Sequence, residues 1–104
     1  MQLAVAVVCR RESTTLNMRA RVRVNVCARF SEIILRVCDT SNTGSQTSYN
    51  LSTMSDGTWA ELSHDENNAG WGQNVRLEVT AKGTTNPNNV GETAFWIEWI
   101  RVEL

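Results

Sequence analysis

Between Arg19 and Val26 every second residue is apolar, in the order Arg-Ala-Arg-Val-Arg-Val-Asn-Val. A pleated strand sends successive side chains to opposite faces, so this segment would bury Ala20, Val22, Val24 and Val26 and hold its arginines outward. A helix would scatter the same valines around its cylinder. Asn74 to Lys82 repeats the pattern, with Val75, Leu77, Val79 and Ala81 on one side and Arg76, Glu78 and Thr80 on the other. Chains built this way bury their apolar residues by stacking one pleated face on another.

The remaining segments extend the series. Met1 to Cys9 is apolar and reads as a first strand. It has no basic stretch ahead of the apolar run, and bulky Val8 stands before Cys9 where a lipoprotein anchor wants a small residue. Phe30 to Cys38 is a strand in which Ile33-Ile34-Leu35 breaks alternation, implying either a bulge or burial on both faces. Asp39 to Ser48 reads as a polar loop, Tyr49 to Leu51 and Thr58 to Leu62 as short strands, and Ser55-Asp56-Gly57 as the turn between them. His64 to Asn74 and Gly83 to Gly91, the latter with the sole proline, Pro87, read as loops, and Thr93 to Leu104 as the last strand. About seven or eight short strands with no significant helix predict an all-β, two-sheet antiparallel sandwich or jelly roll, its first and last strands adjacent.

A length of 104 residues fits one domain, 1–104. Three cysteines, Cys9, Cys27 and Cys38, cannot close into a full set of bridges, and their spacing matches no zinc clip. They are expected to be reduced and buried, with Cys27 and Cys38 the pair that oxidation could join. No run approaches the roughly 20 apolar residues of a membrane helix, so no membrane segment is expected, and the make-up of Met1 to Cys9 argues against a signal peptide. Charge is divided unevenly: seven arginines face three acids through Asp39, whereas three basic residues face eight acids beyond it. Two arrangements fit this division, ion pairing across strands within one sandwich and head-to-tail attraction between identical subunits.

In the second half, Gly57-Thr58-Trp59 is followed by Val75-Arg76-Leu77-Glu78-Val79 and then by Phe95-Trp96-Ile97-Glu98-Trp99-Ile100-Arg101-Val102. In order and spacing this resembles the galactose-binding-like jelly rolls, including the carbohydrate-binding modules appended to glycoside hydrolases. The resemblance spans roughly residues 19 to 104 and involves mostly core positions, so it implies a fold rather than a ligand. Glu98 stands where those families usually carry Asp, and Trp99 follows it. Burial of Ile97, Ile100 and Val102 together requires a bulge near Glu98-Trp99, because spacings of three and then two cannot share one face of a regular strand.

Sugars pack their C–H faces on flat rings, which draws attention to the tryptophans. Trp59 and one of Trp96 or Trp99 are expected in the core. Trp71, between Gly70 and Gly72, is the loop aromatic that could meet a partner, with Tyr49, Asn67, Asn68 and Gln73 around it. His64-Asp65-Glu66 places three potential metal ligands in a row, but on extended backbone neighbours diverge, and a solvated loop is the expectation. No cofactor is expected. The resemblance admits a structural calcium, for which Asp39 and Asp65 are the nominees. Arg19, Arg21 and Arg23 would stand in line at intervals of about 6.6 Å. With no aromatic partners on their own strand and a net charge of −1, they suit solvent or a protein partner better than nucleic acid.

One histidine, no G-x-S-x-G elbow and no glycine-rich phosphate loop argue against an enzyme. A short chain with no leader or catalytic motif, carrying opposite charge in its halves, points to a structural or attachment protein of a large assembly. A virion surface, capsid-decorating or phage fibre subunit is the leading form. It would contact a shell or tail protein and copies of itself. The alternative is a free-standing carbohydrate-binding module.

Overall fold

The computed structural model of the chain describes residues 2–10, 15–25, 30–39, 41, 43–67, 74–83 and 95–103. They form seven strands: β1 (Gln2–Arg10), β2 (Thr15–Val24), β3 (Phe30–Cys38), β4 (Gly44–Asn50), β5 (Trp59–Asn67), β6 (Asn74–Gly83) and β7 (Phe95–Glu103). The sole helical element among the described residues is a 3-10 turn, Leu51–Thr53. Every pairing is antiparallel, in a four-stranded sheet ordered β1-β6-β3-β4 and a three-stranded sheet ordered β5-β2-β7. The architecture is an all-β two-sheet sandwich. Contrary to expectation, β1 and β7 are not neighbours, since β1 pairs with β6 in one sheet and β7 with β2 in the other.

Alternation does its work most fully in β2 and β6. Leu16, Met18, Ala20, Val22 and Val24 on β2 are buried, as are Val75, Leu77, Val79 and Ala81 on β6. Together with Ile33, Leu35, Val37, Leu51 and Leu62 they form one core. In β3 the break in alternation reflects burial on both faces: Ile33 and Leu35 enter the core while Ile34, pointing the other way, is also buried.

Cys38 is a free, buried thiol. Cys27, its suggested partner, lies outside the described residues.

The bulge in the last strand is present. Arg21 pairs with Trp99 and Val22 with Ile97, leaving Glu98 as the extra residue. Phe95, Ile97, Ile100 and Val102 thereby all pack against the core.

Two segments read as loops are strands. Gly44 to Ser48 belongs to β4, pairing with β3 from Gly44 opposite Cys38 to Asn50 opposite Glu32. Its inward positions are Ser45, Thr47 and Tyr49, and a strand whose inner face is polar shows no apolar alternation. Tyr49 and Asn50 therefore end a strand, and Leu51 opens the 3-10 turn, whose Ser52 amide donates to Asn50 Oδ1. His64 to Asn67 likewise continues β5, which runs past its expected end at Leu62.

Candidate functional site

Two groupings of polar and aromatic side chains stand out. The first lies on the outer face of the three-stranded sheet. Because β2 is its middle strand, Arg19, Arg21 and Arg23 project between two neighbours. Arg23 sits opposite Trp59 of β5 and Trp96 of β7, Arg21 opposite Glu61 and Trp99, and Arg19 opposite Ser63 and Arg101. The aromatic partners missing from the arginine strand itself are thus supplied by the strands on either side.

Along this face the environment changes from ionic to aromatic. Arg19 Nη1 donates to Asp65 Oδ1 at 2.7 Å, and its Nε lies 3.7 Å from Glu103. Arg21 contacts Glu98 at 2.5 Å and Glu61 at 3.7 Å. At the Arg23 end, carboxylates give way to indoles. The Arg23 guanidinium carbon stands 4.5 Å from the Trp96 ring centre and 5.9 Å from that of Trp59. Arg21 also covers Trp59 at 5.5 Å, and Arg101 covers Trp99 at 4.0 Å. Each stack contributes about 0.5–1 kcal/mol where the cation keeps some water. Among the described residues Arg23 makes no ion pair, and its buried Nε has no hydrogen-bond partner.

These contacts show one use of the uneven charge, ion pairing within the sandwich. Early arginines meet late acids across strands, as in Arg19–Asp65, Arg21–Glu61, Arg21–Glu98 and Arg36–Glu78. The expected placement of the tryptophans is corrected. Trp59 is 38 % exposed and, like Trp96 and Trp99, belongs to the outer face rather than the core. The bulge explains Trp99, because it lets Glu98 and Trp99 both point outward while Ile97 and Ile100 stay inside.

The second grouping closes one side of the sandwich, where β4 of one sheet approaches β5 of the other. Alternation on β5 sends His64 and Glu66 inward and Asp65 outward. His64 and Glu66 are only 6 % and 9 % exposed, so the expected solvated loop is instead a buried polar seam. His64 Nε2 lies 2.8 Å from Ser45 Oγ and Nδ1 lies 2.7 Å from Thr47 Oγ1. Ser45 Oγ donates to Glu66 Oε2. With its proton committed there, Ser45 accepts from His64 Nε2–H, and Nδ1 accepts from Thr47. Burial holds the imidazole below its ordinary pKa, outweighing the opposing pull of Glu66 and then Asp65.

A serine, a histidine and a glutamate in contact suggest a hydrolytic triad, yet the wiring differs. A triad needs Nε2 free to take the serine proton and a carboxylate on Nδ1–H. Here the carboxylate holds the serine proton and Thr47 occupies Nδ1. The arrangement joins two sheets.

Tyr49 continues the same seam. Its hydroxyl donates to the Ser63 carbonyl at 2.7 Å and accepts from the Ser63 amide at 2.9 Å. It is committed to the edge of β5. Asn67, the exposed last residue of β5, is the other described member of the expected loop site. Asn68, Trp71 and Gln73 lie outside the described residues. Asp39 Oδ1 accepts from the Ser41 and Thr43 amides and shapes the β3–β4 turn, while Asp65 is held by Arg19. Among the described residues no group of three or more His, Cys, Asp or Glu could hold a metal, and no helix is long and apolar enough to cross a membrane.

No protein-family model matches the chain, and no curated protein matches it.

Proposed function

We propose that the chain is a non-catalytic structural or attachment subunit of a large assembly, docking a protein partner through the outer face of its three-stranded sheet. The observation that carries this reading is Arg23, a guanidinium with no carboxylate among the described residues, set between two indoles at the ion-free end of that face. Tryptophan anchors protein interfaces because it brings large area with few rotamers, and arginine because its planar guanidinium is more weakly hydrated than an ammonium. An acidic side chain on the partner would complete Arg23, while the Trp59 and Trp96 rims add apolar contact.

The same geometry favours protein over sugar on this face. A pyranose stacks on an open ring, and here guanidinium groups already cover the indoles of Trp59, Trp96 and Trp99. The particle setting, with a shell or tail protein of a virion as partner, draws its support from the jelly-roll resemblance of the second half.

Co-sedimentation with intact particles, alongside a glycan array, tests the reading. Wild type is expected to co-sediment. Arg23→Ser and Trp96→Ala should each weaken this by about tenfold or more, the range of an interface anchor. Arg36→Ser, on the other sheet, should leave it unchanged. Retention on glycans without particle binding would replace the proposal with the carbohydrate-binding alternative.

A further inference from the structure

β1 occupies an end of the four-stranded sheet and, among the described residues, hydrogen-bonds to β6 alone. Its pairing is unbroken from Gln2 opposite Lys82 to Arg10 opposite Asn74. Every residue from Ala4 to Val8 is exposed. Val5, Val7 and Val8 are 44 %, 40 % and 74 % exposed, on a strand with no charge, proline or bulge between Gln2 and Cys9. Such an edge offers a row of unpaired amides and carbonyls to any other strand, and monomeric proteins usually block it.

The other three edge strands carry such devices. β4 turns Ser45, Thr47 and Tyr49 into the seam with β5, and the Tyr49 hydroxyl takes both backbone groups of Ser63 on β5. β7 has its bulge at Glu98 and presents Glu98, Arg101 and Glu103. Among the described residues β1 alone lacks a guard.

We propose that two copies of the chain pair through β1, antiparallel, about a two-fold axis normal to the four-stranded sheet at Ala6. The occupant is a second copy because β1 complements itself. Centred on Ala6, all of Gln2–Arg10 overlaps its counterpart. Val5 then falls opposite Val7 of the second copy on the inner side, and Ala4 opposite Val8 on the outer side. Arg10, the only charged residue of the strand, falls opposite neutral Gln2, so no like charges meet. The joined sheet would have eight strands, four from each copy. This pairing does not rest on the docking face, which lies in the other sheet.

The area limits its strength. A nine-residue edge is about 30 Å long and about 10 Å deep, or about 300 Å² per copy, against roughly 800 Å² per partner in a standard interface. A weak dimer follows, with a dissociation constant on the order of 10–100 μM.

Sedimentation equilibrium under reducing conditions, from about 5 μM to about 1 mM, tests it by bracketing that constant. The mass should rise from that of the 11.6 kDa monomer towards twice that value. Ala6 is exposed, so Ala6→Lys and Ala6→Glu should keep the wild-type circular dichroism. Each alone places like charges opposite each other and should stay monomeric. An equimolar mixture should dimerise again, and Arg23→Ser should dimerise as wild type does. Wild type that stays monomeric throughout, Ala6→Lys that associates like wild type, or a mixture that stays monomeric would each overturn the proposal.

Discussion

Deleting Glu98 should be tolerated, whereas deleting its neighbour Ile97 should not. Because Arg21 pairs with Trp99 and Val22 with Ile97, Glu98 is the one residue of β7 with no partner position on β2. Without it, Phe95, Ile97, Ile100 and Val102 remain on the core side and Trp96, Trp99 and Arg101 on the outer side. The loss is the Glu98–Arg21 ion pair at 2.5 Å, whose side chains are 50 % and 34 % exposed. Screened by solvent, it is worth about 0.2–1 kcal/mol. That corresponds to a fall in Tm of up to about 8 °C for a domain near this size.

Deleting Ile97 instead closes the bulge the wrong way. With Ile100 and Phe95 held inside, regular alternation places Glu98 opposite Val22, which is fully buried. The core loses an isoleucine, about 2–5 kcal/mol, and must also take up a carboxylate at a cost of several kcal/mol. Against a total stability of about 5–15 kcal/mol, this deletion should leave little folded protein. Urea unfolding followed by tryptophan fluorescence and circular dichroism measures both. Equal destabilisation by the two deletions would refute the assignment of Glu98 as the surplus residue.

Three further outcomes follow from the seam and the turns. The His64 imidazole, held below its ordinary pKa by burial, refuses a proton that the unfolded chain accepts near pH 6.5, so stability should fall as pH drops below about 6.5. The fall should level off once the folded imidazole titrates, and urea midpoints at successive pH values in His64→Gln should lack that component. Tyr49→Phe removes two hydrogen bonds to Ser63 and should cost about 1–2 kcal/mol in urea unfolding, with faster amide exchange at Ser63. Gly44→Ala would drive a Cβ into the Val37 carbonyl oxygen and place it 2.7 Å from Cys38 Cα, where backbone must move. A loss of about 1–3 kcal/mol is expected from such overpacking, read as a lower thermal midpoint.

Strands whose inner face is apolar were legible without coordinates. β2 and β6 announce themselves by alternation, β3 by its apolar run, and the bulge in β7 by the impossible spacing of Ile97, Ile100 and Val102. The candidate site was legible only in fragments. The arginine comb was visible, but its tryptophans come from Trp59 and Trp96, remote in sequence and adjacent only through the pairing of β2 with both β5 and β7. The seam was hidden because Ser45, Thr47, His64 and Glu66 look like loop residues until two strands meet and satisfy one another. Ser45-Gln46-Thr47-Ser48-Tyr49 carries no alternation of apolar and polar residues that would mark it as a strand.

Taken alone, the order of residues determined that the chain would form pleated ribbons with one face turned inward, because side-chain direction reverses at every step of an extended backbone. Which ribbons became neighbours was decided by the tertiary structure. Strand pairing joins groups far apart along the chain, and its energy lies in contacts that do not exist until both sheets are built. Hence β1 and β7 became edges of different sheets, polar β4 became a strand, and the arginine row of β2 met carboxylates at one end and tryptophans at the other.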